Sequence, residues 1–167
     1  MYLVTDSRTK LRFMETVQVD YEESLLPLPL EIENSLREKI PLFLSKLGFG
    51  HRYITVFFCS PEKIQELNAA YRNQDKATDI LSWGYEEQDV NLPEQAFPWG
   101  ELALCLDVCR KQAEASGWDL ETELLRLIAH GVIHILGYDH ETAEEEARML
   151  QLELELLSLI NLQGLYQ

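Results

Sequence analysis

Three of the chain's four histidines fall within eleven residues, His130-Gly131-Val132-Ile133-His134-Ile135-Leu136-Gly137-Tyr138-Asp139-His140. His130 and His134 stand four apart, so on a helix they share one face, about 6 Å apart along the axis. Gly137 can take the left-handed conformation that ends a helix. The chain can then double back and bring His140 to the same point. Three imidazoles with a fourth position open form the donor set of a catalytic zinc site, whereas a structural site is closed. The same donors also accept nickel and other imidazole-binding metals. A buried helix whose histidines merely pair with acids would leave the Gly-Tyr-Asp-His tail unexplained.

The His-x3-His-x5-His spacing is similar to that of the metzincin proteases, whose helix carries a glutamate general base directly after the first histidine. Gly131 stands at that position here. The spacing therefore predicts a metal site without the peptidase's base.

A second group of polar residues lies between Leu67 and Trp83. Arg72 ends a helix, where the dipole favours a cation in any case. Asn68 and Arg72, at i and i+4, read as a surface pair, and Asp75, Thr78 and Asp79 as turn and strand-entry residues.

These groups need elements to hold them. Residues 1–12 are polar and irregular and predict a loose arm. Phe13 to Asp20 alternate as a first strand. Leu30 to Leu47 form a helix that Pro41 should kink or split. Arg52 to Cys59, rich in Tyr, Ile, Val and Phe, form a second strand. Ser60 and Pro61 open a helix that runs to Tyr71 or Arg72. Thr78 to Trp83 and Gly100 to Leu106 are the third and fourth strands. Residues 85–98 between them read as a surface insertion and a candidate flap. Asp107 is expected to cap a short helix ending at Gly117, and Asp119 to cap the histidine helix. That helix is apolar nearly all round and should be buried. Thr142-Ala143-Glu144-Glu145 is a capping box for a last helix running to about Leu162. Strands come early and helices late. The order predicts an α+β single domain over residues 1–167, with a small mixed four-stranded sheet, about five helices and the histidine helix at the centre.

Composition limits the classes of function. The chain has 167 residues, 46% of them hydrophobic, enough for one domain with a real core. No apolar run is long enough for a membrane span, and the N-terminus lacks a signal peptide's basic start and apolar middle. The three cysteines, Cys59, Cys105 and Cys109, follow no zinc or redox spacing and read as buried free thiols of a cytoplasmic protein. The net charge of −15 argues against non-specific nucleic-acid binding. Glu141, Glu144, Glu145, Glu146, Glu153 and Glu155 read mostly as a solvated face of the last helix. Lys63, Arg72 and Lys76 make a candidate local basic rim, and Arg8, Lys10 and Arg12 a basic arm.

The chain resembles the YbeY family of bacterial rRNA-maturation endoribonucleases over about residues 52–153. The resemblance rests on His130-Gly131 through His134, on Gly137-Tyr138-Asp139-His140, on Leu67-Asn68 through Tyr71-Arg72, and on Thr78-Asp79 through Leu81-Ser82. Gly100-Glu101 and Met149 extend it. Glu101 stands where many members have Asp, and Trp83 where many have Phe; both keep the chemical type.

The resemblance implies a metal-dependent endoribonuclease specific for single-stranded RNA, not DNA. It implies action in 3′-end maturation of small-subunit (16S) rRNA and in ribosome quality control. By position, His130, His134 and His140 would hold one Zn2+, and Arg72 would be the functionally important arginine that neutralises charge on the phosphoryl oxygens. The catalytic set is then Arg72, His130, His134 and His140. The nucleophile is either water, whose pKa the metal lowers toward 7, or the RNA 2′-hydroxyl. For so acidic a chain, RNA should bind weakly alone. A small-subunit ribosomal protein or a ribosome-associated GTPase would then bring the substrate. Two other readings stand beside this one: an assembly factor whose zinc is mainly structural, and a zinc hydrolase or protease of other specificity.

Overall fold

The computed structural model describes residues 16–85, 98–138 and 141–166, together with the backbone of residues 2–4 and 12–14. In chain order the elements are β1 (Tyr2–Val4), β2 (Arg12–Met14), β3 (Val17–Tyr21), α1 (Leu30–Lys46), β4 (Ile54–Cys59), α2 (Pro61–Arg72), β5 (Ile80–Gly84), β6 (Gly100–Cys105), α3 (Leu106–Ser116), α4 (Leu120–Ile135) and α5 (Ala143–Ser158). The main sheet has the order β3-β4-β6-β5. β3, β4 and β6 are parallel, and β5 runs antiparallel to β6 at the edge. This is the expected α+β architecture with a mixed four-stranded sheet and five helices.

Alternation along the strands divides the core in two. Ile54, Val56 and Phe58 of β4 and Leu102 and Leu104 of β6 face one way, fully buried with α1, α4 and α5. Cys59, Leu81, Ala103 and Cys105 face the other way and pack with Ile64 of α2. α4 is the most deeply embedded helix, as its apolar sequence requires; Leu124, Leu125, Leu127, Ile128, Val132 and Ile133 are all buried. Each such side chain stabilises the fold by about 1.5–3 kcal/mol.

Gly131 lies on the side of α4 that rests on the sheet. A Cβ there would stand 2.8 Å from both Ile80 Cδ1 and Leu102 Cδ2. The helix approaches β5 and β6 so closely that any side chain there would have to displace Ile80 and Leu102. The missing glutamate of the protease pattern thus has a packing cause, and a side chain at 131 would point into the core.

The helix ends follow the sequence signals. Ser60 Oγ accepts from Lys63 N at 3.2 Å, with Pro61 in the first turn. Asp119 Oδ1 accepts from Thr122 N at 2.7 Å. Thr142 and Glu145 form the capping box. α3 ends at Gly117, as expected.

Several expectations change. Within the predicted loose arm, Tyr2–Val4 pairs antiparallel with Arg12–Met14. The predicted strand from Phe13 to Asp20 is therefore two: Phe13 belongs to this ribbon, while Val17–Tyr21 joins the main sheet. α1 is not split at Pro41. An interior proline costs about 3 kcal/mol, which complete burial of Leu36, Ile40, Phe43 and Leu44 along one face outweighs. Asp107 does not cap α3; the cap position is Cys105, and Asp107 sits in the first turn, where the dipole favours its charge. α5 ends at Ser158 and continues as turns.

The insertion read at 85–98 lies outside the described residues except for Tyr85 and Pro98. The side chains of the basic arm, Arg8, Lys10 and Arg12, lie outside them too. The three cysteines are free and buried, and burial pushes the Cys59 thiol up to about 12. Among the described residues no helix is long and apolar enough to cross a membrane.

Candidate active site

The last two turns of α4 present His130 and His134 on one face. His134 Nδ1 lies 2.8 Å from the carbonyl oxygen of Tyr138. A carbonyl only accepts, so Nδ1 carries the proton and the neutral ring keeps its lone pair on Nε2. Gly137 makes this contact reachable: at φ +92° it reverses the chain just after the helix and aims the next carbonyl back at His134.

His130 Nδ1 lies 3.2 Å from Glu153 Oε2 of α5. Burial alone would raise the Glu153 pKa. The hydrogen bonds from His130 and Tyr166, with Arg126 nearby, outweigh it and hold the carboxyl below its usual range. An ionised carboxylate accepts, so Nδ1 is the donor on this ring as well. The two Nε2 atoms then face each other 3.0 Å apart.

With both rings neutral, two lone pairs are opposed at that distance, and either a shared proton or a cation between them relieves the repulsion. Two nitrogens each about 2.0–2.1 Å from one zinc ion stand about this close. The donor set therefore fits a metal bound through both Nε2 atoms. Carboxylate and carbonyl partners on Nδ1 are the outer contacts that orient such ligands. His140, the third expected ligand, and Asp139 lie outside the described residues. Among the described residues no group of three His, Cys, Asp or Glu side chains converges on a metal position.

Behind His130 lies a polar network. Glu153 is only 5% exposed, and its Oε1 accepts from the Tyr166 hydroxyl. Burial first, and then that hydrogen bond, push Tyr166 up to about 12. Arg126 donates to Glu123 through Nε at 2.9 Å and Nη2 at 2.7 Å, and Glu123 is 1% exposed. Glu153 is thus not part of a solvated face, unlike Glu141, Glu144, Glu145 and Glu146, which are exposed. It shares a stripe of α5 with Met149, Leu156 and Leu157, so an acid at apolar spacing was the available signal. Nothing in the sequence singles out Tyr166.

Arg72 reaches the same region from α2. Asn73 ends that helix in the left-handed conformation, at φ 55°. Asn68 is 3% exposed, and its Nδ2 donates to the Lys76 carbonyl at 2.9 Å. It is a buried clamp on the loop, not the surface partner of Arg72 that its spacing suggested. At the loop's far end Asp79 Oδ1 accepts from Ile80 N at 2.7 Å and from Thr78 Oγ1 at 3.2 Å. Thr78 and Asp79 are the strand-entry residues expected. With both ends tied, Arg72 Nη2 donates to the Ser82 carbonyl on edge strand β5 at 2.7 Å. Lys63 pairs with Glu66 at 3.2 Å, and Lys76 is exposed.

Arg72, Ser82, Trp83, His134, Gly137 and Tyr138 line one cleft of about 530 Å³. The fold thus brings the candidate arginine and one candidate ligand to a common wall. It joins the second ligand to the first through their facing nitrogens.

Known proteins resemble this chain over most of its length. The family model described as endoribonuclease YbeY matches residues 18–161. The endoribonuclease YbeY of Halalkalibacterium halodurans is 36% identical over 155 residues, covering 87% of this chain and 97% of its own. That of Aquifex aeolicus is 38% identical over 121 residues, covering 72% and 78%. Among solved structures, the solution structure of TM1509 from Thermotoga maritima matches with a TM-score of 0.54 at 25% identity, covering 90% of this chain and 95% of that one.

Proposed function

We propose, from the premise that this chain belongs to the YbeY endoribonuclease family, that it hydrolyses phosphodiester bonds of single-stranded RNA with the help of one zinc ion. Its field of action is 3′-end maturation of small-subunit rRNA and ribosome quality control in the cytoplasm. A ribosomal small-subunit protein or a ribosome-associated GTPase presents the substrate, because a chain of net charge −15 gains little from non-specific contact with phosphate.

The observation that carries the reading is the pair of Nε2 atoms 3.0 Å apart beside a cleft that Arg72 also lines. His130, His134 and, by its sequence position, His140 would hold the zinc. When bound, zinc supplies Lewis acidity that makes water a nucleophile near neutral pH. The chain's own groups do the rest. Glu153 and the Tyr138 carbonyl fix both rings with their protons on Nδ1. Arg72 is anchored by one nitrogen to Ser82, and the remaining donors of its planar fork serve phosphoryl oxygens as their charge grows. The cleft beside His134 favours a site that admits substrate over a closed structural one. The position of Gly131 against the sheet speaks against a protease using that residue for its base.

The test is cleavage of an unstructured RNA and of the same sequence as a duplex, with and without chelator. Metal-dependent cutting of the single strand alone is the expected result. Equal cutting of both substrates, or cutting indifferent to chelation, would overturn the proposal.

A further inference from the structure

A second hollow lies on the outer face of the sheet, on the far side of Trp83 from the cleft of Arg72 and His134. It measures about 340 Å³. The pleat dictates what is there. Thr55 and Phe57 of β4, Glu101 of β6 and Trp83 of β5 share this face by register. α2 and α3 cover the end of the face nearer Cys59 and Cys105, and the hollow is the remainder. Its walls are aromatic. Tyr71 of α2 is 65% exposed and meets Trp83 edge to face, with ring centroids 5.5 Å apart. Tyr85 closes another side and donates its hydroxyl to Glu101 Oε2 at 2.7 Å.

Neither the metal site nor the charge chemistry of Arg72 uses these groups. Exposed, nearly perpendicular aromatic rings suit a flat π-system, and base stacking on aromatic side chains is how single-stranded nucleic acid is held without regard to pairing. The charge of the hollow argues against a phosphate inside it. Asp20 and Glu101 are both on its lining, and Lys63, the one cation on it among the described residues, is paired with Glu66. Carboxylates only accept hydrogen bonds, so they favour a base edge that donates through an exocyclic amine over uracil, whose single imide N–H is flanked by two carbonyls.

Position supplies the link to the cleft. Trp83 lines both cavities, and Tyr71 directly precedes Arg72 on α2. We propose that the hollow bounded by Tyr71, Trp83, Tyr85 and Glu101 binds one unpaired, amine-bearing nucleobase of the RNA whose phosphate lies at Arg72. The strand thus crosses edge strand β5 at Trp83. This rests on the nuclease reading for its choice of RNA as ligand.

The test uses the full chain with its metal and a set of single-stranded RNA hexamers carrying 2-aminopurine at successive positions, read by stopped-flow fluorescence before cleavage, with cleavage followed separately. Wild type should quench the probe strongly at one register. Tyr71→Ala should abolish that quench and weaken binding about tenfold, the loss of one stacked base. Tyr71→Trp should keep both, which separates stacking from a folding defect. Glu101→Gln should narrow the preference for adenine over uracil at the quenched register. Quench and affinity unchanged in Tyr71→Ala would overturn the proposal. So would wild type that cuts RNA yet quenches at no register, an outcome that leaves the nuclease reading standing. Tyr71-dependent quenching by a wild type that cuts nothing would support the hollow as an RNA site and remove the nuclease reading instead.

Discussion

The two sides of the cleft are built differently. On the α4–α5 side, His130 and His134 are backed by a buried carboxylate, a tyrosine hydroxyl and a helix-ending carbonyl. On the α2–β5 side, Arg72 is exposed and held by a single hydrogen bond to an edge-strand carbonyl. A metal site needs donors fixed before the metal arrives, so its surroundings belong to the core. A group that meets a mobile, charged substrate needs access and donors to spare, so it belongs at the rim. The difference predicts that mutations on the first side change metal binding and those on the second change only the chemistry.

The largest effect should come from His134→Ala. On the proposed reading it removes a zinc ligand, so bound metal should fall to background and cleavage by more than about 100-fold, the upper range for loss of a mere outer contact. Metal content by elemental analysis would check it. Retained stoichiometric metal would break the division between the two sides. Next comes Arg72→Ala, where loss of one donor to a developing oxyanion costs about 10²–10³ in kcat. Because Arg72 is exposed, its thermal midpoint should stay at the wild-type value. Glu153→Gln should follow, with metal affinity 10–100-fold weaker in a chelator competition and Arg72 untouched. An unchanged affinity would show that the carboxylate only packs.

Smaller still is Gly131→Ala, which places a methyl 2.8 Å from Ile80 and Leu102. Overpacking of this kind costs about 1–3 kcal/mol, read as a lower urea midpoint with the metal site intact. The smallest is a control outside both regions. The Arg37 hydrogen bond holds the Glu33 carboxyl below its ordinary value of 4.5, outweighing partial burial, with the Tyr21 hydroxyl assisting. A depressed pKa stabilises the folded chain above the unfolded value, and that stability is lost as pH falls below 4.5 through the folded one. Glu33→Gln should therefore flatten the stability profile of the chain slightly on the acid side of pH 4.5, without altering cleavage at neutral pH.

How much of this was legible in the sequence follows from range. Most helix ends were, because Ser60, Asp119, Gly137 and the Thr142–Glu145 box act within a turn of themselves; the start of α3 was not, because an acid such as Asp107 suits the first turn as well as the cap. The burial of α4 was, because its apolar residues leave no polar face. The break between β2 and β3 was not, since alternation runs through Phe13 and Val17 alike and only pairing partners separate them. At the site, His130 and His134 announce themselves by spacing and Arg72 by its family pattern. Glu153 was hidden among five other acids of the C-terminal region, although its place on the stripe of Met149 and Leu156 distinguishes it. The Tyr138 and Ser82 carbonyls left no trace, because any residue supplies a carbonyl and only the fold aims it. The asymmetry of the cleft was invisible for the same reason: exposure is a tertiary property.

The most direct test measures metal content and single-stranded RNA cleavage on the same nuclease-free preparations of wild type, His134→Ala and Arg72→Ala. Wild type should carry about one zinc per chain and cut, as an open three-ligand site requires. His134→Ala should do neither while remaining folded, and Arg72→Ala should keep its zinc and fail to cut. If Arg72→Ala cuts at the wild-type rate, or all three cut equally, the cleft is not where RNA is cleaved.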